Sequence, residues 1–327
     1  MSTKPLAPGS SGPLRGYLAS RVLSLASTFL LVLTLTPLPA LAFDPFPVAG
    51  GAGEHRRILD AALACGADGA ADCWSRAALD RFEPALRRPD ITAITVWNPA
   101  HCDSGDPPAD GRRGGGRRGP EALSACRDWI RTELDAALRS ADRLVDAAGA
   151  PRPMRGTCGT FNLGDPDPLC ALDHHLGRAL HAAQDFYSHT NWTDVPIPAD
   201  RVSLHTPQGL GGSGPIPWMA PGDRAPPPAG LMSGCFTFFP EPLFCQGRTR
   251  HADMNKDRRA GPETPPVGAT PRGAVDGNFL RAFDAATGET ARIWGEVQSR
   301  LISVYGETRG RAMACIIRRG PTAGCGA

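Results

Sequence analysis

The sequence predicts an all-α protein in which long loops connect the helices. Apolar residues recur three or four positions apart over several long segments, which is typical of helices that bury one face. Alternation typical of strands is confined to two short segments, residues 91–97 and 235–245. The chain has 38 glycines and 33 prolines, so much of it is expected to be loop. We expect one domain, residues 43–327, whose helices share a core.

The first 42 residues have the features of a secretory signal peptide. Lys4, Arg15 and Arg21 precede an uncharged, mostly apolar run at 22–35, and a small-x-small cleavage motif follows. The run is short for a membrane span, so we expect cleavage after residue 42 and no transmembrane anchor in the mature form. The mature protein would begin at Phe43 and be secreted or periplasmic. An uncleaved anchor is the alternative.

The charge of the mature chain does not favour a stable nucleic-acid complex. The whole chain has a formal net charge of +2, and residues 1–42 contain three basic and no acidic side chains, so the mature charge is −1. Proteins that hold nucleic acid usually present a basic face to the phosphates. The one basic cluster, RRGGGRR at 112–118, is either a solvated loop or a basic lip for an anionic substrate.

All ten cysteines follow the signal segment, and their even number in an exported chain indicates disulfides. Thiolate zinc sites are the competing interpretation, but no CxxC spacing is present. Sequence alone leaves the connectivity open, and we predict bonds between neighbours along the chain: Cys65–Cys73, Cys102–Cys126, Cys158–Cys170, Cys235–Cys245 and Cys315–Cys325.

The apolar periodicity predicts the helices in order. They are expected at residues 54–64, 75–86, 120–148, 169–189, 274–305 and 307–317. Pro120 suits the first turn of the third helix. A Pro/Gly-rich insertion, residues 195–272, separates two long helices, and we expect disulfides to pin it. Loops of this length usually have a function.

The fourth predicted helix carries a polar stripe. With 100° per residue, Asp185 lies about 40° from His181 around the helix, His189 about 80° and His174 about 20°. His175 lies about 120° away and falls outside the stripe. Four side chains able to bind a metal therefore share one narrow face.

A buried face of imidazoles and a carboxylate is unfavourable without partners, and a divalent cation supplies one. Neutral imidazole nitrogens and carboxylate oxygens are ligands that Zn²⁺ prefers. With His181 and His189 on either side, Asp185 is expected to bridge two ions. Two ions about 3.5–4 Å apart can bind a phosphoryl group and lower the pKa of a bound water.

Further candidate ligands lie elsewhere in the sequence. Each of them taken singly is as easily explained as a surface residue. They are His55 at the start of the first helix, His101 and Asp103 in one loop, and His251 with Asp253 and Asp257 in another.

The run 176-LGRALHAAQDFYSHTNW-192 resembles the signature of the Het-C-type proteins, LG-x2-LH-x2-QDF-x2-HSNW, with Thr190 where the signature has Ser. Those proteins are similar to the superfamily of zinc-dependent phospholipases C and single-strand-specific zinc nucleases. Weaker similarity is present at 55-HRRI-58, 101-HCD-103 and 251-HADMNKD-257.

The resemblance implies an all-α phospholipase C/zinc-nuclease-like fold that holds up to three zinc ions and hydrolyses phosphodiesters. By position, His181 resembles the first ligand of the helix, Asp185 the bridging carboxylate and His189 the next histidine. Asp103 resembles an aspartate before that helix, and His55 an N-terminal ligand.

Two further points follow from the resemblance. In the superfamily's enzymes the mature N terminus binds metal, so Phe43 is a candidate ligand through its amine and carbonyl. Those enzymes also have a His-x3-Glu pair on a later helix, whereas residues 274–305 contain no histidine. His251 would replace it, with Asp253 or Asp257 beside it.

We therefore expect a secreted zinc hydrolase of the phospholipase C type with two to three ions. Its substrate would be a phosphodiester such as a phospholipid head group, attacked by a metal-held hydroxide, with Asp185 and Asp103 as catalytic residues. Asp103 would be a ligand or a base that orients water. Three alternatives remain: a non-catalytic Het-C-like interaction protein with a structural or vestigial metal site, a zinc nuclease, and a membrane-active factor that uses the apolar segment 236–244.

Overall fold

Nine α-helices and two short 3₁₀ segments form the regular structure of the described residues. The computed structural model describes residues 53–66, 72–92, 94, 97–107, 119–155, 158, 167–237, 240–260, 268–321 and 323–325. All of these residues belong to one compact unit, Ala40–Ala327. The expected signal segment, Phe43 and the basic cluster at 112–118 lie outside the described residues.

The predicted all-α class is confirmed. The helices are α1 (Glu54–Leu63), α2 (Arg76–Ile91), α3 (Asn98–His101), α4 (Pro120–Ala141), α5 (Pro168–His189), α6 (Glu241–Phe244), α7 (His251–Met254), α8 (Asn278–Tyr305) and α9 (Glu307–Arg319). The 3₁₀ segments are Ala199–Arg201 and Pro217–Met219. Across the described ranges the backbone forms isolated bridges but no strand. None of the described helices has both the length and the apolar content needed to cross a bilayer.

The strand-like pattern at 91–97 forms no strand in its described residues, 91, 92, 94 and 97, and the first of them belongs to α2. This helix continues to Ile91 instead of ending at residue 86, and it includes Pro84 and Pro89. Each proline removes one backbone donor, but the helix still buries Phe82, Leu86 and Asp90 against the rest of the protein. The longer helix places Asp90 at its C-terminal end.

The strand-like pattern at 235–245 also forms no strand in its described residues, 235–237 and 240–245. This segment, which we call the disulfide loop, is closed by a bond between Cys235 and Cys245 and contains the four-residue helix α6. Pro240 and Pro242 lack the N–H groups that a strand ladder requires, and Pro242 lies in the first turn of α6.

Helix α5 is the central helix of the fold. It packs against α2, α4 and α8, and 18 of its 22 residues are buried. Small residues allow the close approach: a Cβ atom on Gly177 would lie 2.6 Å from the carbonyl carbon of Ala85 in α2. Because α2 and α5 are in backbone contact, their polar residues meet in the interior.

The cysteines pair as predicted from their spacing. The five bonds are Cys65–Cys73, Cys102–Cys126, Cys158–Cys170, Cys235–Cys245 and Cys315–Cys325, and no cysteine is free. The Cys102–Cys126 bond attaches the end of α3 to α4, so it fixes the loop that carries His101 and Asp103.

A buried ion-pair cluster joins the two ends of the Pro/Gly-rich segment. Asp194, shortly after α5, forms an ion pair with Lys256 Nζ at 3.1 Å and accepts a hydrogen bond from Arg272 Nε at 2.8 Å. The Lys256 ammonium is fully buried and also donates to the carbonyl of Thr190 at the end of α5. This cluster holds the segment that follows α7 against the C-terminal end of α5.

Candidate metal centre

Five imidazoles and four carboxylates from distant parts of the chain converge in the interior. Each is at most 4% exposed. They form two clusters. The Asp185 group consists of His55, Asp90, His101, His181 and Asp185, and the His189 group consists of Asp103, His189, His251 and Asp257.

The two carboxylate oxygens of Asp185 face different imidazoles. Oδ2 lies 2.9 Å from His101 Nδ1 and 3.0 Å from His181 Nε2. Oδ1 lies 3.3 Å from His55 Nε2. The carboxylate therefore lies between the nitrogens of His101 and His181 on one side and that of His55 on the other. The sequence predicted His189, not His55, as the histidine on the second side.

The two carboxylate oxygens of Asp90 likewise face different histidines. This residue was not among the ligands predicted from the sequence. Its Oδ1 lies 3.5 Å from His181 Nε2 and 3.8 Å from His101 Nδ1, while Oδ2 lies 3.7 Å from His55 Nε2. Two subsets of these atoms are close enough to share one ion: His55, Asp90 and His181, and His101, His181 and Asp185. No local pattern marks Asp90 in the sequence, since it has no metal-binding neighbour on its own helix.

Hydrogen bonds to the remote ring nitrogens orient three of the histidines. His55 Nδ1 lies 2.7 Å from Gln184 Oε1, His181 Nδ1 lies 3.0 Å from the carbonyl oxygen of Leu86, and His189 Nδ1 lies 2.7 Å from that of His101. Because these oxygens only accept, each Nδ1 must donate, and each Nε2 carries the lone pair. Metal-binding histidines are usually fixed in this way. Gln184 is a second residue that the sequence analysis did not assign to the site.

In the His189 group, two carboxylates bracket two imidazoles. Asp103 Oδ1 lies 2.9 Å from His251 Nδ1 and 3.4 Å from His189 Nδ1. Asp257 Oδ1 lies 3.2 Å from His189 Nε2, and its Oδ2 lies 3.6 Å from His251 Nε2. Ser188 donates its hydroxyl to Asp257.

Asp103, His189 and His251 are close enough together to hold an ion on the Nδ1 side of the two rings. The hydrogen bonds instead favour an ion on the Nε2 side, which faces Asp257. His189 Nδ1 is already committed to the carbonyl of His101, which leaves Nε2 facing Asp257. His251 Nε2 and Asp257 Oδ2 make no hydrogen bond within the described part of the chain. The geometry thus favours Asp257 as the carboxylate ligand and Asp103 as the carboxylate that orients His251.

Two of the three remaining expected ligands are not brought into either group. His174 lies against Arg88, whose Nη1 is 3.2 Å from Nδ1 and 3.1 Å from Nε2 of the ring. A guanidinium there repels a metal cation, and His174 lies two helical turns from His181. Asp253 bonds to Arg250 and His205 at the surface side of α7. The third, Phe43, lies outside the described residues.

The buried site keeps the carboxylate of Asp185 ionised. Burial alone would raise the pKa of Asp185, but the neighbouring imidazoles, chiefly His181, hold it well below its usual value of 3.8. Burial lowers the pKa of His181 to about 3 against the opposing effect of Asp185. Burial would also lower the pKa of His251, but the charge and hydrogen bond of Asp103 raise it well above its usual 6.5.

The donor set fits zinc. In the described structure the ion pairs of Asp103, Asp185 and Asp257 are all with imidazoles, which are neutral when they bind metal. The buried negative charge then needs a cation. Asp185 Oδ1, His251 Nε2 and Asp257 Oδ2 make no hydrogen bond among the described residues, so they are available to one.

Comparisons with known proteins add no relative. No protein-family model, curated protein or solved structure matches this chain, so the centre is interpreted from its own residues.

Proposed function

We propose that this chain is a secreted, zinc-dependent phosphodiesterase of the phospholipase C type that holds two to three ions. The observation that carries the proposal is the position of Asp185. Each of its oxygens faces a different set of imidazole nitrogens, and Asp90 lies across from it with the same division. A carboxylate in this position can bridge two cations, as in two-metal hydrolases.

The side chains divide into three potential sites. His101 and His181 with one oxygen each of Asp90 and Asp185 would hold the first ion. His189 and His251 with Asp257 would hold another. His55 with the remaining oxygens of Asp90 and Asp185 would hold the third.

The His55 site has one imidazole among its potential ligands, whereas each of the other two sites has two. Catalytic zinc sites keep a position open for water or substrate, whereas structural sites are closed. A small cavity of about 10 Å³, lined in part by His55, Arg56 and Arg87, adjoins it. This volume is about enough to hold a single water molecule. The open position of the centre is therefore expected on the His55 side.

Zinc held in these sites would polarise a phosphoryl oxygen and lower the pKa of a coordinated water. The chain's own residues prepare that chemistry. Gln184 and the carbonyl of Leu86 fix the tautomers of His55 and His181. Asp103 Oδ1 accepts a hydrogen bond from the Nδ1–H group of His251 and so orients that ring. The near-complete burial of both groups excludes bulk water, which strengthens each charge interaction.

A phospholipid head group is the preferred substrate class. The Het-C-type signature at 176–192 supports a phosphodiester hydrolase, and the mature charge near zero argues against a nucleic-acid substrate. The five disulfides support an extracytoplasmic location.

The test is metal analysis combined with hydrolysis of a soluble short-chain phosphatidylcholine and of a single-stranded oligonucleotide. We expect at least two equivalents of zinc in the purified mature protein, release of phosphocholine, and loss of both in Asp185→Asn. His175→Ala is the matched control, because His175 lies on the same helix but pairs with Glu133 away from the centre. Cleavage of the oligonucleotide alone would favour the nuclease alternative.

The burial of the centre favours one competing function. If the Asp185 group holds a single ion, four protein ligands would close its site, and the protein would be a non-catalytic interaction protein with a structural metal. Full zinc occupancy, loss of fold on chelation and no turnover of either substrate would establish that function and overturn the phosphodiesterase.

A further inference from the structure

A cleft of about 530 Å³ runs along one face of α4. None of the residues that line it belongs to the Asp185 group or the His189 group, so it is separate from the candidate metal centre. Its volume lies in the range of small-molecule sites, about 300–1,000 Å³. We propose that this cleft, which we call the α4 cleft, binds a linear aliphatic polyamine.

Two carboxylates line the α4 cleft. Glu121 and Asp128 are seven residues apart on α4, which places them within about 20° of each other around the helix and about 10 Å apart along its axis. Both residues are exposed, and neither forms an ion pair within the described part of the chain. No lysine or arginine is among the described residues that line the cleft. This lining therefore offers negative charge at two separate points.

Two tryptophan rings form the aromatic part of the α4 cleft. The centroids of Trp97 and Trp129 lie 6.5 Å apart, and their planes are inclined by 56°. Trp97 is 49% exposed, so its ring surface is open to a ligand. An indole face attracts an ammonium group within about 6 Å of its centroid and also packs against the methylenes beside that group. The rings thus fit a cation that carries apolar carbon, such as an alkylamine.

Both walls of the cleft are attached to α4, so binding would not have to order them. On one side Arg127 of α4 donates to the carbonyl of Ala225 at 3.0 Å, and the two prolines that follow, residues 226–227, line the cleft. On the other side the Cys102–Cys126 bond attaches α3, which begins directly after Trp97, to α4. A preformed site binds more tightly because little conformational freedom is lost.

The distance between the two carboxylates selects the class of cation. A single metal ion cannot reach both across about 10 Å, since metal–oxygen bonds are only about 2–2.6 Å long. A quaternary ammonium group would meet the rings and one carboxylate and leave the other unpaired. A polyamine carries ammonium groups joined by methylenes, so two of them can donate hydrogen bonds to Glu121 and Asp128 while the chain lies against the rings.

The test is calorimetric titration of the full mature protein with spermidine, compared with tetramethylammonium and with Mg²⁺. We expect spermidine to bind at a single site and the other two cations to bind at least about tenfold more weakly, because neither meets both carboxylates and the rings. Glu121→Gln and Asp128→Asn should each weaken spermidine binding about threefold, as for exposed charge pairs, and together about tenfold. Trp97→Ala should weaken it about threefold to fivefold, whereas Trp97→Phe keeps a ring face and should retain most of the affinity.

Asp135→Asn is the matched control, because Asp135 is a carboxylate of the same helix that pairs with Arg300 and does not line the cleft. This variant should bind spermidine as the wild type does. Absence of spermidine binding would overturn the proposal. So would equal binding by the wild type and Glu121→Gln/Asp128→Asn, or equal affinity for tetramethylammonium.

This proposal does not depend on the proposed function. None of the substituted residues lies in the candidate metal centre, so the zinc content of every variant should equal that of the wild type. Spermidine binding by a protein that hydrolyses neither lipid nor oligonucleotide would support the cleft while the phosphodiesterase fails. Hydrolysis without spermidine binding would give the opposite result.

Discussion

His189 donates its Nδ1 proton to the backbone carbonyl of His101, with 2.7 Å between the nitrogen and the oxygen. His101 belongs to the Asp185 group, so this bond connects the two clusters of ligands through the main chain. It also decides which side of the His189 ring can bind metal. Since Nδ1 is occupied, Nε2 faces Asp257 at 3.2 Å.

The two carboxylates beside His189 and His251 should therefore differ in their effect on zinc. Asp257→Asn removes a ligand, and we expect it to abolish one zinc equivalent. Asp103→Asn keeps a carbonyl oxygen that accepts from His251, so we expect a decrease in zinc affinity of about tenfold to a hundredfold, as for residues that orient ligands. Zinc titration with a competing chelator measures both. A larger loss in Asp103→Asn than in Asp257→Asn would exchange their assigned roles.

Gln184 should control only the ion on the His55 side. Its Oε1 accepts from His55 Nδ1 at 2.7 Å, and its Nε2 donates to Thr290. Gln184→Leu removes this acceptor, and we expect about tenfold to a hundredfold weaker binding of the ion at His55. Gln184→Glu keeps the acceptor and should restore affinity. Stepwise cobalt titration followed by absorbance distinguishes this site from the other two, and uniform weakening of every step would contradict the assignment.

Gly177→Ala should weaken both the fold and the centre. The added methyl would lie 2.6 Å from the backbone of Ala85, so α2 and α5 must separate, at an expected cost of about 1–3 kcal/mol in the free energy of unfolding. Separation also moves the carbonyl of Leu86 that orients His181. Gly295→Ala is the control: nothing lies within 4 Å of its added methyl, so we expect a gain of about 0.4–1 kcal/mol. Urea unfolding, with zinc and with chelator, measures both effects.

The stability of the metal-free protein should fall as pH rises above about 6.5, where His181 is neutral in both the folded and the unfolded state. The pKa of His251 is raised well above 6.5 in the folded state, so its protonation stabilises the fold fully below about pH 6.5. That contribution is lost as pH rises through the folded-state pKa. Zinc requires neutral imidazoles, so its stabilising effect should increase over the same range. Denaturation midpoints between pH 6.5 and 9, with chelator or zinc, should show opposite slopes, and His251→Asn should reduce the slope in chelator.

The sequence predicts features that depend on near neighbours. The spacing of His181, Asp185 and His189 places all three in the interior along α5, and the pairing of the cysteines follows from their order. Asp90 was not predictable in this way, because its role depends on α2 crossing α5 and nothing beside it in the chain binds metal. His174 has suitable helical spacing, but Arg88 from α2 covers its ring.

The buried Lys256 has a practical consequence. The only lysines in the sequence are Lys4 and Lys256, so removal of residues 1–42 leaves a chain whose one side-chain amine is fully enclosed beside the candidate centre. Reagents that acylate amines should leave that side chain unmodified while the protein is folded. Mass-spectrometric detection of its acylation would then report the opening of this region directly, without any engineered label.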